Sequence, residues 1–215
     1  MHIKKANDAA NIYIHYENPN EVTRINDDLF KIKMCLTGRR LLREIESHMA
    51  AGKNVNIKMR LDCGSVTAPR LTESQITRFR VPYSEEDETH HKIASKVSKV
   101  NRQDGASEGT SATISYNPRE SISIDSIGRP YIGVDRNEGF FTLAHELIHA
   151  LHMLRGNARG QGMSEIYLPN SKQYEEENRV IGINEFAVRD ITENRIRQEW
   201  GAPLRAHYFL TQRPI

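Results

Sequence analysis

The sequence predicts an α+β domain in which a small mixed sheet packs on a central helix. Short alternating stretches typical of strands lie on both sides of residue 84, and residues 139–155 form one strongly apolar stretch of helical length. A content of 38% hydrophobic and 27% charged residues is typical of a globular protein. The length of 215 residues fits one compact domain, residues 1–215, with a core of its own.

The first third of the chain predicts a strand, a helix and a second strand. Residues 11–16 alternate between apolar and polar side chains, and so do residues 55–61. Between them, Asp28–Ala51 places apolar side chains at helical spacing, and Gly52 is expected to end the helix. We expect this helix and these strands to build one side of the core.

Residues 84–110 differ from the rest of the chain in composition. An acidic run is followed by three lysines and a Gly/Ser-rich end. We therefore expect a mobile surface excursion, with a short helix as the alternative. The neighbouring residues His90 and His91 lie within this charged segment, and we interpret them as an exposed pair, not as metal ligands.

Three short strand-like segments follow, at residues 112–116, 121–124 and 131–134. An extended peptide can add to an exposed sheet edge through main-chain hydrogen bonds. We expect such an edge at Thr113–Tyr116 or at Ile122–Ile124, shortly before the apolar helix.

The apolar helix contains His145, Glu146 and His149 in the motif HExxH. In a helix the two histidines stand one turn apart on one face, where two imidazoles can bind one tetrahedral Zn²⁺. Glu146 then lies beside the open coordination position and can accept a proton from water. The pattern occurs by chance about 0.03 times in a chain of this composition. The motif therefore predicts a zinc hydrolase, most often a peptidase.

The sequence around the motif predicts that this helix is buried. Asp135–Glu138 predicts a capping box at its start, and Gly156 predicts its end. Apolar residues between these limits cover most of the circumference, which predicts burial on all sides. Two histidines and a carboxylate would be costly to bury without partners, and a bound metal ion would remove that cost.

A catalytic zinc site needs a third protein ligand from elsewhere in the chain. A second helix, ending at Gly182, carries three consecutive glutamates, Glu175–Glu177. Consecutive helical residues point about 100° apart, so only one of these side chains can point at the metal. Glu177 shares a face with apolar residues and is our first choice, while Glu176 and the later Glu185 remain alternatives.

Two stretches resemble the light chains of the clostridial neurotoxins. Thr142–Ala150 reads TLAHELIHA and Glu176–Gly182 reads EENRVIG, where the light chains have LAHELIHA and EELRTFG. In that family the second glutamate of the EE pair is the third zinc ligand, and the resemblance assigns this role to Glu177. Asn178, Val180 and Ile181 depart from the family pattern, so the choice among the glutamates stays open.

The C-terminal part is similar to the NleD-type zinc proteases, which bacterial pathogens inject into host cells through type III secretion. Thr192–Arg197, Gly201–Arg205 and Tyr208 carry the similarity, and with the motif it covers about a third of the chain. The resemblance implies a zincin-like metalloprotease fold, Zn²⁺ as the cofactor, delivery into the host cytoplasm and a host protein as substrate. The known activity of that family is cleavage of MAP kinases, but the resemblance implies the reaction more firmly than the substrate.

Peptide hydrolysis places negative charge on the carbonyl oxygen of the cleaved bond, and catalysis needs hydrogen-bond donors aimed at this oxyanion. The neurotoxin light chains use an RxxY pair in this role, and the match assigns it to Arg205 and Tyr208. The alternative is an exposed arginine beside a tyrosine of the core. His207 lies between them and ranks lower as a donor.

Three further side chains could support the site. His152 lies one turn after His149 and either supports the metal ligands or forms a hydrogen bond within the core. Glu193 or Glu176 could orient a metal-bound imidazole through its second nitrogen. The sequence does not choose between these two carboxylates.

Composition argues against several other classes of protein. No run of 18 apolar residues predicts a membrane span, and the N-terminus lacks a secretory signal. A net charge of +2, without a basic helix carrying aromatic residues, does not predict nucleic-acid binding. Cys35 and Cys63 are far apart and are expected to be reduced thiols.

We expect a monomer. The alternatives to a peptidase are a non-catalytic, host-targeted interaction module with a metal-stabilised helix, and a zinc hydrolase that acts on something other than peptides.

Overall fold

The computed structural model describes residues 1–84, 86–101, 105–133, 136–160, 168 and 171–211. The strands in this part of the chain are β1 His2–Lys5, β2 Ile12–Tyr16, β3 Val55–Met59, β4 Val66–Arg70, β5 Val100–Asn101, β6 Gly105–Ala106, β7 Ser111–Tyr116, β8 Ser121–Ile124 and β9 Pro130–Gly133. The α-helices are α1 Pro19–Met34, α2 Leu36–Ser47, α3 Glu73–Phe79, α4 Glu88–Val97, α5 Gly139–Leu154, α6 Lys172–Ile181 and α7 Glu193–Glu199.

The central sheet has five strands in the order β1-β2-β3-β7-β4. Strands β2, β3 and β7 run parallel, and β1 and β4 pair antiparallel at the two edges. Two hairpins, β5-β6 and β8-β9, stand apart from this sheet. The predicted α+β class with a small mixed sheet is confirmed. Among the described helices, none combines the length and the apolar character needed to cross a membrane.

The core lies between one face of the sheet and the helices α1 and α5. Ile14, Ile57 and Ile114 are aligned across three neighbouring strands and are fully buried. Leu147 and Ile148 of α5 belong to the same apolar cluster. The alternation of the strands therefore determines which face of the sheet receives the motif helix.

The predicted helix Asp28–Ala51 is two α-helices, and the first begins earlier. Asn18 and Glu21 form a capping box that opens α1 nine residues before the predicted start. Cys35 is extended between the helices, with φ −102° and ψ 160°. At Gly38 a Cβ atom would collide with the backbone at the end of α1, so the close approach of the two helices requires glycine.

The strand β4, which the sequence does not predict, forms the sheet edge beside the motif helix. Its Pro69 obscures the strand pattern, although proline is tolerated at an edge. Thr113–Tyr116 lies in β7, between β3 and β4, so the expectation of an edge there is wrong. Ile122–Ile124 lies in β8 and pairs with β9 in a separate hairpin, outside the central sheet.

The segment 84–110 contains a helix, whereas its composition predicts a mobile surface excursion. Asp87 caps α4, which contacts β4 and buries His90 and Ala94. The N–H of Leu71 donates a hydrogen bond to Nε2 of His90 at 3.1 Å. The expectation of an exposed histidine pair is therefore wrong for His90, which is a core residue. The mobility of the segment stays a prediction.

Helix α5 is buried along its length, as predicted, because it contacts the sheet on one side and α1, α2, α6 and α7 on others. Its last residue stands two positions before Gly156, whose φ of 68° explains why glycine follows the helix there. Asp135 of the predicted capping box and Val134 of the third predicted strand lie outside the described residues. Glu138, immediately before the helix, makes no side-chain capping bond.

Candidate metal centre

His145 and His149 meet on one face of α5, as their spacing of four residues predicts. Their Nε2 atoms lie 3.1 Å apart, and the planes of the two rings are inclined by 72°. Both side chains are largely buried, with 12% and 10% of their surface exposed. The helix therefore presents two imidazole nitrogens to one small volume.

Glu177 reaches the same volume from α6. Ser171 caps this helix by accepting a hydrogen bond from the N–H of Tyr174, which fixes the register of the glutamates that follow. Oε2 of Glu177 lies 3.2 Å from Nε2 of His145 and 3.4 Å from Nε2 of His149.

The chemistry and spacing of these three side chains fit a zinc ion. Within the described residues they are the cluster whose potential ligand atoms all lie within 4.8 Å of one another. Ligand atoms about 2.0–2.1 Å from a tetrahedral zinc are about 3.3–3.4 Å from each other. The observed separations of 3.1, 3.2 and 3.4 Å are close to this value. Two imidazoles and one carboxylate would leave a fourth position for water or substrate.

Glu193, the first residue of α7, holds the other nitrogen of His145. Its Oε2 lies 2.9 Å from Nδ1 of this imidazole. The same carboxylate accepts hydrogen bonds from Arg197 at 2.6 Å and from Arg205 at 2.9 Å. Since Nδ1 of His145 is occupied in this way, Nε2 is left to face the metal position.

Glu176 has a similar position behind His149. Its Oε1 lies 2.6 Å from Nδ1 of His152 and 3.7 Å from Nδ1 of His149. Its Oε2 accepts a hydrogen bond from the backbone N–H of Arg159 at 2.9 Å. The sequence left Glu193 and Glu176 as alternatives, and the structure places one of them behind each imidazole.

The buried charges of the cluster stabilise one another. Burial alone would lower the pKa of His149, but Glu177 and Glu176 outweigh it and hold that pKa well above its ordinary value. Burial would raise the pKa of Glu177, but His149 and His145 outweigh it and lower that pKa. A metal ion must therefore displace protons from the imidazoles, so metal affinity is expected to fall as the pH falls.

Glu146 lies on the neighbouring side of α5 and points toward β4. Its side chain is buried, and Oε2 lies 2.7 Å from the hydroxyl of Thr67. The same hydroxyl lies 3.0 Å from the backbone oxygen of Glu146. The predicted general base thus lies between the two imidazoles of its own helix and the edge strand of the sheet.

Arg205 is buried and makes two contacts near the cluster. One guanidinium nitrogen donates to Glu193, and another donates to the backbone oxygen of Tyr208 at 2.9 Å. The ring of Tyr208 packs against Tyr174 and Phe209, with centroids 6.4 and 5.3 Å away. Arg205 and Tyr208 are therefore linked to each other and to α6 and α7, and their role toward an oxyanion stays a prediction.

Two alternatives do not join the cluster. Glu185 is exposed, in a 3₁₀ turn after α6, and His207 is exposed in the C-terminal segment. Thr67, Arg197 and Gln173 also contact the site, and none of them was predicted; Gln173 donates a hydrogen bond to Oε1 of Glu177 at 2.8 Å. The spacing of Glu193 and Arg197, four apart in one helix, was a signal for their ion pair. Nothing in the sequence indicated Thr67, because its strand was not predicted.

A helix with HExxH whose histidines meet a glutamate from a later helix defines the class of the metallopeptidases. The family Peptidase_M91, described as an effector protein, matches residues 10–208. The chain therefore belongs to the Peptidase_M91 family, and the predicted resemblance to the NleD-type effectors is confirmed.

Solved structures that are similar to this chain include light chains of botulinum neurotoxins. The catalytic domain of Clostridium botulinum neurotoxin serotype F is 15% identical, with a TM-score of 0.48, over 94% of this chain and 79% of the other. The light chain of botulinum neurotoxin type G is 14% identical, with a TM-score of 0.44, over 88% of this chain and 55% of the other. None of the curated proteins matches the chain.

Proposed function

We propose that the protein is a zinc-dependent endopeptidase that cleaves a host protein. The observation that carries the proposal is the convergence of His145, His149 and Glu177, with Glu146 beside them and Glu193 behind them. This set combines three metal ligands, a general base and a carboxylate that orients a ligand. Membership of a peptidase family of effector proteins supports the same reaction.

His145, His149 and Glu177 would hold the Zn²⁺. When bound, zinc supplies Lewis acidity, which polarises a peptide carbonyl and makes water more acidic. Glu146 accepts a proton from the attacking water and passes it to the leaving amine. Glu193 holds the imidazole of His145 in the orientation that leaves Nε2 facing inward, and Glu176 lies 3.7 Å from Nδ1 of His149.

Arg205 and Tyr208 are the proposed donors to the oxyanion. The buried position of Arg205 and its bond to the backbone of Tyr208 support this role, because they hold the two residues as a unit. The bond between Arg205 and Glu193 also ties this unit to the residue behind His145.

The proposed place of action is the host cytoplasm, after delivery by a type III system, and the proposed acting form is a monomer. A MAP kinase is the substrate class suggested by the similarity to the NleD-type proteases. The family assignment supports a host protein as the target.

The experiment compares the wild type with Glu146→Gln in host-cell extracts, with protein fragments resolved and identified. We expect zinc in both proteins and new protein fragments only with the wild type. Glu185→Gln is the matched control, because this glutamate is exposed and outside the cluster. Equal cleavage by Glu146→Gln would refute the mechanism. Cellular effects that persist in this variant and in the presence of a chelator would favour an interaction module.

A further inference from the structure

Thr67 makes the hydrogen bond that fixes the side chain of Glu146. Its hydroxyl lies 2.7 Å from Oε2 of Glu146 and 3.0 Å from the backbone oxygen of the same residue. Both distances are within the range of hydrogen bonds between oxygen atoms. In the part of the chain that the structure describes, Thr67 provides the side-chain hydrogen bond to this carboxylate.

The position of Thr67 follows from the register of the sheet. Thr67 lies opposite Ile114 in the antiparallel pair of β4 and β7. Opposite residues share one face of a sheet, and Ile114 is buried on the face that receives α5. The hydroxyl of Thr67 therefore points at the motif helix, and a β-branched side chain in a strand holds it there with few alternative rotamers.

A hydrogen-bond partner can keep a glutamate in the position from which it acts as a general base. Its side chain has three rotatable bonds, and the carboxylate can leave the position from which it reaches the attacking water. A hydroxyl that lies close to both the carboxylate and the backbone of Glu146 restricts these rotations. Misplacing a catalytic group by about 1 Å lowers a rate by about 100-fold.

We infer that Thr67 is a positioning residue of the peptidase, and that it fixes the carboxylate of Glu146. This inference rests on the proposed function for its effect on catalysis, but the orientation of Glu146 can be measured without activity. Since β4 is the edge strand beside the site, a peptide that pairs with this edge would contact the strand that positions the base. Binding of substrate and orientation of the base would then depend on one strand.

The test uses Thr67→Val, which keeps the shape of the side chain and removes its hydroxyl, and Thr67→Ser, which keeps the hydroxyl. Crystal structures of the zinc-loaded full chain should show Glu146 in one position in the wild type and in Thr67→Ser. In Thr67→Val the carboxylate should be displaced or occupy several positions. An unmoved carboxylate in Thr67→Val overturns the inference, whatever the rate. If this variant does not fold, Thr67→Ala serves for the same comparison.

Kinetics provide the second measurement. Thr67→Val should lower kcat about 10- to 100-fold with unchanged KM and zinc content, and Thr67→Ser should restore most of the rate. Equal losses in both variants, with lower thermal stability, would show that Thr67 only joins β4 to α5 and would overturn the inference. If the wild type cleaves no protein, the proposed function fails, while the crystal structures still decide the role of Thr67.

Discussion

Replacement of Glu193 by glutamine tests whether the charge of this residue stabilises the site and orients His145. This buried carboxylate faces Nδ1 of His145 at 2.9 Å, Arg197 at 2.6 Å and Arg205 at 2.9 Å. Burial would raise its pKa, but Arg205 and Arg197 outweigh this effect and lower the pKa well below the ordinary value. Glutamine keeps the shape and one acceptor oxygen, and it removes the charge that both guanidinium groups share.

The expected loss has two parts. Removing one partner of a buried ion pair costs about 3–5 kcal/mol of unfolding free energy. For a chain of 215 residues, with an unfolding entropy of about 2.1 cal/mol/K per residue, this corresponds to a decrease in Tm of about 7–11 °C. The loss of a carboxylate that orients a metal-bound histidine lowers metal affinity by about 10- to 100-fold.

The two parts can be measured separately. Thermal unfolding in excess chelator gives the change in stability of the metal-free chain, and competition with a zinc indicator gives the change in affinity. Glu185→Gln makes the same chemical change at an exposed position and should alter neither quantity. If Glu193→Gln binds zinc with unchanged affinity, Glu193 does not orient His145.

Three further changes have defined outcomes. Tyr208→Phe should lower kcat about 10- to 1000-fold with zinc retained, and an unchanged rate would limit Tyr208 to packing. Tyr116→Phe removes a hydroxyl 2.8 Å from the buried carboxylate of Asp28, so urea unfolding should show a loss of about 1–3 kcal/mol, and no loss would contradict this bond. Burial lowers the pKa of His152 from 6.5 to about 4 despite the neighbouring Glu176. Between these values the unfolded chain binds the proton and the folded chain does not, so His152 makes the metal-free protein less stable as the pH falls from 6.5 to 4, by up to about 3 kcal/mol. His152→Gln should flatten this dependence in urea unfolding, and an unchanged slope would contradict the shift.

Local sequence patterns predicted the motif helix well, because the apolar residues and the two histidines that form the patterns all lie within this helix. The apolar periodicity of α5 predicted its burial, and the spacing of His145 and His149 predicted that both would face one point. The position of Glu177 needed more information. Helical geometry allows only one of the three glutamates to point at the metal position. The packing of α6 against α5 places Glu177, and not Glu176, beside the two histidines.

Contacts between distant segments could not be predicted from local patterns. Thr67 meets Glu146 only because β4 pairs with β7, and a proline within β4 weakened the strand pattern. The division between α1 and α2 depends on the close approach at Gly38, which a single-helix periodicity does not reveal. His90 lies in a charged segment whose composition predicts exposure. Its imidazole is nevertheless buried and accepts a hydrogen bond from the backbone N–H of Leu71.

Both outer strands of the central sheet carry residues that discourage further pairing. The strand β1 exposes Lys4 and Lys5, and β4 contains Pro69, which has no N–H group to offer to another strand. A strand from a second copy of the chain would therefore pair poorly with either edge of the sheet. Fibre formation through edge-to-edge pairing is disfavoured for the same reason. A peptide that pairs with β4 would also find no N–H group at Pro69, so its main chain could form hydrogen bonds with this edge over only a few residues.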